Sequence, residues 1–410
     1  MRALFVPFGS EGDVNPLIWL AEGLAARGHD VHFLITPHYG RLIEKRGFTW
    51  TPIGTEEDFE RFARDPRLWA PRFGPYAVIK GMKDTLEAYP EPFAAAGDFD
   101  LVVTSTIGLA ASCLAEARGI PRLTLHMQPA CVRSAYDCPL FVEEMAWLMK
   151  SPVWVKRAFF WMVDQVLWNL ARPSLNAFRR KLSLPPIQSF YDDALQGSEG
   201  VGALFPEWFA APQPDWPPHI RQFGFPINPA RAPLPQDVED FLAAGPPPVV
   251  WTHGSANFDI QHFQQAALRV SGELGVRCLL VSLDPPKSPL PANAFHASHV
   301  RFEDLFPKCR AAVHHGGIGT TAKAVAAGIP QLIVPRSHDQ PDNANRTSRL
   351  GLGLRVRYQD LDRPALSSTL RKLLSDPEIA LRCQSFQQKM SPQLSELCDW
   401  CEELSRKSTA

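Results

Sequence analysis

The most informative stretch of the sequence is AAVHHGGIGTTAKAVAAGIPQLIVP, residues 311–335. A short apolar run at 311–314 is followed by a glycine-rich turn, and an alanine-rich stretch at 320–327 then ends at Gly328. A second apolar run fills 331–335. Since glycine just past a helical stretch is an ordinary stop signal, the pattern predicts a strand, a turn, a helix and a parallel strand.

The same order of elements recurs along the chain, at residues 3–36, 100–126 and 248–283. Strands that alternate with helices form parallel sheets covered by helices on both faces. Twelve prolines fall between 206 and 248, and so dense a group predicts an interdomain connector. The predicted fold class is therefore α/β, with two doubly wound domains.

The length of 410 residues also fits two domains. We place a first domain at 1–215, a proline-rich linker at 216–247, a second domain at 248–385 and a C-terminal helix at 386–410.

Composition excludes several classes of protein. The chain is 45% apolar, which excludes wholesale disorder, and its 42 basic and 43 acidic residues leave a net charge of −1. A dedicated nucleic-acid binder would carry a clear basic excess, so we expect no nucleic-acid partner. The eight cysteines lack zinc-site spacing and no signal peptide opens the chain, which favours a cytoplasmic protein.

The glycine-rich turn at 314–321 predicts an anion-binding site. Glycines permit close approach of a ligand to the backbone, and the free N–H groups at the start of the following helix favour a phosphate. The alternative is a turn that merely packs a helix on a strand. The turn is not a P-loop, because G-x-x-x-x-G-K-[ST] is absent.

Two further turns carry acids. Asp339 and Gln340 follow the strand at 331–335 and could bind adjacent hydroxyls, as a sugar requires, although an aspartate there is also an ordinary helix cap. Asp13 follows the first strand, where a general base and a helix cap are equally good interpretations. Asp98-Phe99-Asp100 matches the D-x-D of metal-dependent transferases, but so short a pattern arises often by chance.

Tryptophan recurs every seven residues at 147, 154, 161 and 168. Helical core is the favoured interpretation. The alternatives are an apolar ligand pocket and a surface that contacts a membrane. A membrane-spanning helix is excluded, because charged residues interrupt the run.

Four motifs, in order, carry a family resemblance. They are G-S-x-G-D-V-x-P at 9–16, T-x-G-S at 252–255, H-H-G-G-I-G-T-T at 314–321 and H-D-Q-P-D-N-A at 338–344. The chain resembles the GT-B fold, family 1 nucleotide-sugar glycosyltransferases, especially bacterial rhamnolipid-type rhamnosyltransferases, sterol glucosyltransferases and glycopeptide-antibiotic glycosyltransferases. The resemblance implies two Rossmann-like domains facing across a cleft, an acceptor-binding one and then a nucleotide-sugar-binding one, with the C-terminal helix crossing back to the first.

The resemblance also implies roles for residues. Those matched to the donor diphosphate are Ser255, His315, Gly317, Gly319 and Thr320. Asp339 and Gln340 match the pair that holds the donor sugar, and His299 or Val300 stands nearest the place of the nucleobase contact. Asp13 stands where many members have a catalytic histidine, and in the Gly-Asp subgroup it is the proposed base.

For the acceptor pocket we expect side chains from the aromatic and methionine-rich N-terminal half. The candidates are Ser10, Trp69, Phe73, Met82, His126, Phe141 and Trp154. His126 could also assist Asp13, although a buried structural histidine is the more ordinary interpretation. Surface packing of the loop that holds Trp69 and Phe73 is equally plausible.

The expected activity is inverting, metal-independent transfer of a hexose, glucose or rhamnose, from a UDP- or dTDP-sugar to a hydroxyl of a hydrophobic small molecule such as a polyphenol, sterol or lipid. The nucleotide sugar is a co-substrate, no cofactor is expected, and a peripheral membrane contact is a further expectation. One alternative is a catalytically silent sugar-nucleotide-binding homologue. Another, a dinucleotide oxidoreductase, is disfavoured because G-x-G-x-x-G is missing after the first strand.

Overall fold

The computed structural model describes residues 1–70, 74–228, 232–254 and 260–407, without the side chains of Trp69, Pro75, Asp84 and Thr85. The chain forms two compact units. The first is Met1–Pro226 together with Pro392–Ala410, and the second is Ile227–Ser391.

Each unit is built from alternating strands and helices. The strands are β1 (Arg2–Val6), β2 (Asp30–Ile35), β3 (Thr49–Pro52), β4 (Leu101–Ser105), β5 (Arg122–His126), β6 (Gly200–Ala203), β7 (Ile220–Gln222), β8 (Val249–Thr252), β9 (Cys278–Val281), β10 (Ala294–Ala297), β11 (Ala311–His314), β12 (Gln331–Ile333) and β13 (Gly353–Arg355). The helices are α1 (Glu11–Ala26), α2 (Pro37–Lys45), α3 (Glu56–Ala63), α4 (Gly74–Ala88), α5 (Pro90–Ala95), α6 (Leu109–Ala117), α7 (Ala146–Met149), α8 (Val153–Lys181), α9 (Gln236–Ala243), α10 (Ile260–Leu274), α11 (Phe302–Leu305), α12 (Ile318–Ala327), α13 (Gln340–Arg349), α14 (Pro364–Ser375), α15 (Pro377–Gln387) and α16 (Leu394–Arg406).

The first unit holds a parallel sheet of strand order β3-β2-β1-β4-β5-β6-β7. Ala3 of β1 pairs with Val31 of β2 on one side and with Leu101 of β4 on the other. All five residues of β4 are buried, as expected for a strand that is covered on both faces. The strand order reverses between β1 and β4, and ligands of open α/β sheets bind at such a point.

The second unit holds a parallel sheet of strand order β10-β9-β8-β11-β12-β13. Val313 of β11 lies between Trp251 of β8 and Leu332 of β12. The order reverses between β8 and β11, so the glycine-rich turn after β11 lies at the reversal. The prediction of two doubly wound α/β domains is confirmed.

The C-terminal helix α16 belongs to the first unit. A side chain at Gly23 of α1 would collide with Leu394 at 2.7 Å, and one at Gly200 of β6 would collide with Leu404 at the same distance. The Trp400 ring stacks on Phe223 with centroids 5.4 Å apart. The helix packs closely on this unit because glycines leave room for it.

The boundaries differ from those expected. Residues 216–247 were predicted to be a linker, yet β7 and α9 both lie within them. The units divide at Pro226 and again at Ser391, so α15 stays with the second unit. The prolines here flank short elements rather than mark one continuous connector, and the buried side chains of Phe223 and Phe225 anchor the segment that follows β7.

The tryptophan series is not helical core, which corrects the favoured interpretation. Trp168 is buried, but Trp147, Trp154 and Trp161 are 57%, 72% and 66% exposed. Trp147 lies in the separate helix α7, and only the second half of α8 packs its Trp168 into the core that includes α4. Within the described ranges, no helix is long and apolar enough to cross a membrane.

Candidate functional site

Asp13 lies in the first turn of α1, which begins at Glu11. A capping box fixes this start. The Ser10 N–H donates to Asp13 Oδ2 at 2.9 Å, and the Gly12 N–H donates to the Ser10 hydroxyl at 3.3 Å. Ser10 is therefore the N-cap and Asp13 is the N3 residue of the capping box, so Asp13 supports the cap without being the N-cap itself. Its carboxylate has a second distinctive feature.

The Asp13 carboxylate lies directly against Gly9. A Cβ on Gly9 would be 2.2 Å from Asp13 Oδ2, and the φ of Gly9 is +129°, so the position requires glycine. Burial raises the pKa of Asp13 from 3.8 to about 6, although both hydrogen bonds from Ser10 act to lower it. A carboxylate with such a pKa is suited to accept a proton near neutral pH.

Two neighbours hold the loop that carries Gly9. The Tyr39 hydroxyl lies 3.5 Å from the Gly9 carbonyl oxygen. The Phe8 N–H donates to Ser105 Oγ at 2.9 Å, and that hydroxyl donates to the Phe8 carbonyl at 3.1 Å. Ser105, the last residue of β4, thus ties the Asp13 loop to the strand across the reversal. Sequence reasoning missed Ser105, because its only signal was a polar residue at the end of a buried strand.

In the second unit, His314 shapes the glycine-rich turn. It is fully buried, its Nδ1 accepts from the Gly316 N–H at 3.1 Å, and its Nε2 lies 2.9 Å from Gln331 Oε1. The proton must therefore be on Nε2. Burial lowers the pKa of His314 to about 4, so the neutral ring is part of the folded turn.

His315 packs between two glycines. A Cβ on Gly254 would be 2.6 Å from its ring, and a Cβ on Gly317 would be 2.5 Å from its Nε2. Burial, together with the His314 and His253 rings, holds the pKa of His315 well below its ordinary 6.5. Its Nδ1 is buried and has no hydrogen-bond partner among the described residues. The neutral ring is thus held rigidly with hydrogen-bonding capacity to spare.

Helix α12 starts at this turn with Gly317 as its N-cap, and no described side chain caps it. Its first N–H groups therefore remain available, and they are the positive end of a ten-residue helix. No described atom lies within 4 Å of a Cβ built on Gly319, so the backbone there is open to a ligand. With Thr320 in the same turn, the arrangement can bind an anion without a charged side chain.

Gln340 folds the loop after β12. Its Oε1 accepts from the Arg336 N–H at 2.9 Å and from the Ser337 N–H at 3.2 Å. His338, which lies between Ser337 and Gln340 in the loop, has a φ of +59°, which is rare outside glycine. Because the Gln340 oxygen already accepts two bonds from the loop, its amide N–H groups are what it can offer to a ligand.

Asn343 connects this loop to the glycine-rich turn. Its Nδ2 donates to Asp339 Oδ2 at 2.6 Å and to the Gly316 carbonyl at 2.9 Å, and the side chain is fully buried. Sequence reasoning quoted this residue within a motif but gave it no role. Its signal was the spacing of four from Asp339, one helical turn.

Several predicted residues lie elsewhere. Ser255 and Phe73 lie outside the described residues, as does the side chain of Trp69. Met82 is 2% exposed and belongs to the hydrophobic core of the first unit, so it does not line a pocket. Val300 is likewise core in the second unit, which leaves His299, an exposed residue, as the candidate for the nucleobase.

His126 is a buried structural residue. It is fully buried at the end of β5, where its Nε2 lies 3.0 Å from Gln196 Oε1 and its Nδ1 lies 3.0 Å from the Thr106 hydroxyl. Burial lowers the pKa of His126 to about 4. With both ring nitrogens engaged, it is poorly placed to act as an acceptor contact or to assist Asp13.

Two clefts stand out among the described residues of the first unit. One of about 280 Å³ lies beside the loop after β5 and is lined by Arg133, Phe160, Trp161, Tyr191 and Gln196 among others. None of the residues predicted for the acceptor pocket is among its described lining. Phe141 packs at the edge of the small core around Leu148, and Trp154 projects outward on α8.

The other cleft, of about 630 Å³, lies between α6, the end of α8 and the segment 186–197. Its buried charges are already paired: Arg179 with Glu116 at 2.7 Å, and Arg122 with Glu199 at 2.7 Å. It therefore offers little free charge to a ligand.

The D-x-D sequence lies at the opposite edge of the sheet from Asp13, because it precedes β4 instead of following it. The Arg2 N–H donates to Asp100 Oδ2 at 2.7 Å, and the Arg2 guanidinium donates to the Asp98 carbonyl at 3.2 Å. The Asp100 carboxylate therefore has a structural role, whereas Asp98 contributes to this contact only through its backbone carbonyl.

Comparison with known proteins matches both halves of the chain. Residues 4–136 match the family described as glycosyltransferase family 28 N-terminal domain, and residues 276–404 match the erythromycin biosynthesis protein CIII-like C-terminal domain. The chain is 30% identical to O-mycaminosyltylonolide 6-deoxyallosyltransferase of Streptomyces fradiae over 402 residues, which cover 94% of this chain and 92% of that protein.

Solved structures share the fold. The glycotransferase of kitacinnamycin superposes with a TM-score of 0.75 at 19% identity, covering 98% of each chain. Glycosyltransferase VinC in complex with DTDP gives a TM-score of 0.70 at 20% identity, covering 99% of this chain and all of that one (100%). The two family matches and the relative aligned over 92% of its length show the family as well as the fold. The chain therefore belongs to the GT-B, family 1-like antibiotic glycosyltransferases and is a glycosyltransferase of the natural-product type.

Proposed function

We propose that this glycosyltransferase moves a hexose from a dTDP- or UDP-sugar to a hydroxyl of a hydrophobic small molecule, with inversion and without a metal ion. The observation that carries the proposal is the turn from His315 to Thr320. It combines an uncapped helix start, an open backbone at Gly319 and a neutral, rigid histidine. These are the features that a diphosphate requires.

In the proposed donor site, the first N–H groups of α12, with His315 and Thr320, hold the diphosphate. They also stabilise the negative charge that develops on it as the sugar leaves. Neutral donors suffice because the charge is met by aligned backbone N–H groups. Ser255, which the family resemblance places at the diphosphate, is proposed as a further contact.

Asp339 and Gln340 are proposed to bind the hydroxyls of the donor sugar. The amide N–H groups of Gln340 donate, since its oxygen is occupied by the loop, and the Asp339 carboxylate accepts. Asn343 holds that carboxylate in place. His299 is the proposed nucleobase neighbour, and a relative solved in complex with DTDP makes thymidine donors the first to test.

Asp13 is the proposed general base. Its carboxylate takes the proton from the acceptor hydroxyl while that oxygen forms a bond to the anomeric carbon. The bond from that carbon to the diphosphate breaks on the opposite face, which inverts the configuration. The raised pKa of Asp13, about 6, suits this role better than an ordinary carboxylate would.

A hydrophobic acceptor is supported by the relative named as a 6-deoxyallosyltransferase acting on O-mycaminosyltylonolide. Of the two clefts in the first unit, the one lined by Phe160, Trp161 and Tyr191 offers aromatic faces to such a molecule. Ser10, beside Asp13, remains a proposed acceptor contact.

The test is product analysis by mass spectrometry. The protein is incubated with dTDP- and UDP-glucose and -rhamnose, and with polyphenol, sterol, hydroxy-fatty-acid and macrolide acceptors. A mass gain of one hexose or deoxyhexose on an apolar acceptor is expected from the wild type and is expected to be lost in Asp13→Asn. Transfer only to polar acceptors such as free sugars would contradict the acceptor class.

A further inference from the structure

The outer side of α8 is unusually apolar. Six of the ten large apolar side chains that are exposed in the described part of the chain lie between residues 147 and 170. They are Trp147, Trp154, Trp161, Met162, Val166 and Leu170. Single apolar residues scattered over a surface are ordinary, but a concentration of this kind calls for an explanation.

The helix geometry gathers these residues on one side. At about 100° per residue, positions 154, 161, 162, 166 and 170 occupy roughly half of the circumference of α8. The opposite side, which includes Phe160, Trp168 and Leu175, is buried in the first unit. We call residues Trp154, Trp161, Met162, Val166 and Leu170 the outer face of α8. A helix that is apolar on both sides is normally covered on both.

The charges on the segment that carries the outer face are mostly basic. Between residues 146 and 181 the sequence contains seven Lys or Arg and a single acid, Asp164. That acid is engaged by Arg133 in a bidentate pair and is only 14% exposed. Arg172 lies five turns from Trp154 on the same side of the helix, and Arg157 lies on its flank. Both arginines are exposed.

We propose that the outer face of α8 docks this protein on an anionic lipid bilayer. Tryptophan rings with basic neighbours and no free acid are the composition of helices that lie in the plane of a membrane interface. The arginines complement anionic headgroups, each contributing on the order of a fivefold gain in binding. Trp161 and Arg157 also line the cleft proposed for the acceptor, whereas Trp154 and Arg172 belong to none of the proposed donor, base and acceptor sites.

A second copy of this chain is a less suitable partner for the outer face of α8 than an anionic bilayer. A symmetric dimer through α8 would bring Arg157 and Arg172 of both copies into one interface, and Asp164, the acid of α8, is already paired with Arg133. Like charges in such an interface repel, whereas anionic lipids attract them.

The test is co-sedimentation of the full chain with vesicles of phosphatidylcholine alone and of phosphatidylcholine with 30% phosphatidylglycerol. We expect binding to the anionic vesicles that weakens in high salt. The variant Trp154→Ala, whose side chain is 72% exposed and lies outside the cleft proposed for the acceptor, should lower the partition coefficient roughly tenfold. Arg172→Gln, which lies outside that cleft, should lower it for anionic vesicles by about fivefold. The matched control, Leu283→Ala/Leu381→Ala, changes two exposed leucines of the second unit and should bind as wild type does.

Failure of the wild type to sediment with anionic vesicles would overturn the proposal, as would an equal loss of binding in the leucine control. Light scattering after size exclusion tests the alternative that a second copy of this chain covers the outer face of α8. A dimer that the tryptophan variant converts to a monomer, without lipid binding by the wild type, would assign the face to a second copy instead. Glycosyl transfer measured on the same variants with a water-soluble acceptor should be unchanged, which separates this surface from the active site.

Discussion

Asn343 Nδ2 lies 2.6 Å from Asp339 Oδ2, and the same nitrogen donates to the Gly316 carbonyl at 2.9 Å. One fully buried amide therefore connects the loop proposed to hold the sugar with the turn proposed to hold the diphosphate. Since both contacts come from one side chain, a change at Asn343 alters both at once.

We predict that Asn343→Ala weakens binding of dTDP or UDP about tenfold and lowers the free energy of unfolding by about 1–3 kcal/mol. The buried Gly316 carbonyl and the partly buried Asp339 carboxylate lose their donor, and an unmet bond is costly. Nucleotide titration and urea unfolding check this. Asn169→Ala, an exposed asparagine of α8, is the control and should change neither. Intact nucleotide affinity in Asn343→Ala would show that the amide does not organise the turn.

Asp13 should impose a pH dependence on the reaction. A base must be deprotonated, so kcat/KM should rise with pH and reach half its maximum near pH 6, the raised pKa of this carboxyl. Initial rates between pH 4.5 and 8.5 check the profile. A half-maximum near pH 4 would mean that the carboxylate is not buried in the working enzyme.

The burial of Asp13 also affects stability. Whereas activity should rise with pH, the stability contributed at this residue should fall. The folded pKa of Asp13 lies above the unfolded value of 3.8, so ionisation costs stability as pH rises through about 6. Asp13→Asn should therefore raise the free energy of unfolding by about 2 kcal/mol at pH 8 while abolishing turnover. Urea unfolding at pH 8 and pH 4 checks this, and the gain should vanish at pH 4.

Gly9→Ala should impair catalysis only by displacing the Asp13 carboxylate. Its Cβ would collide with Asp13 Oδ2, so the carboxylate must move, and we expect kcat to fall at least about tenfold with little change in donor KM. Gly28→Ala is the matched control. Gly28 also has a positive φ, +82°, but no described atom lies within 4 Å of its Cβ. Both variants should lose about 1 kcal/mol of stability from strain, and only Gly9→Ala should lose activity.

Acid should destabilise the protein through its buried histidines. Burial lowers the pKa of His126 and of His314 to about 4, so their stabilising neutral forms are present above pH 6.5 and lost as pH falls towards 4. At pH 5 each should cost about 2 kcal/mol relative to pH 8. His126→Gln should flatten this dependence relative to wild type in urea unfolding, whereas His299→Gln, at an exposed position, should not.

Much of the fold could be predicted because the central strands are continuous apolar runs. The strand at 311–314 was predicted to the residue, and the helix at 320–327 begins only two residues earlier in the structure. A strand next to the sheet edge escaped prediction. It is β6 (Gly200–Ala203), which lies between β5 and the edge strand β7, and its glycines leave room for α16, a tertiary reason that leaves no local apolar pattern.

The donor motifs were located correctly along the chain, but their roles required side-chain geometry. A motif shows that Asp339 and Asn343 are near each other, but not that one amide binds both halves of the site. Burial was the commonest source of error. Met82 and Val300 carry the same apolar signal whether they line a pocket or fill a core, and the tryptophan series resembled core on periodicity alone.

The most direct test of the central claim is release of nucleoside diphosphate by the wild type and by Asp13→Asn, measured with and without an accepted hydroxyl compound. We predict release that depends on the acceptor in the wild type. In the variant, release should fall by a factor of about 1,000 or more while the affinity for dTDP or UDP is unchanged. Equal rates in the two proteins would contradict the assignment of Asp13 as the base that drives glycosyl transfer.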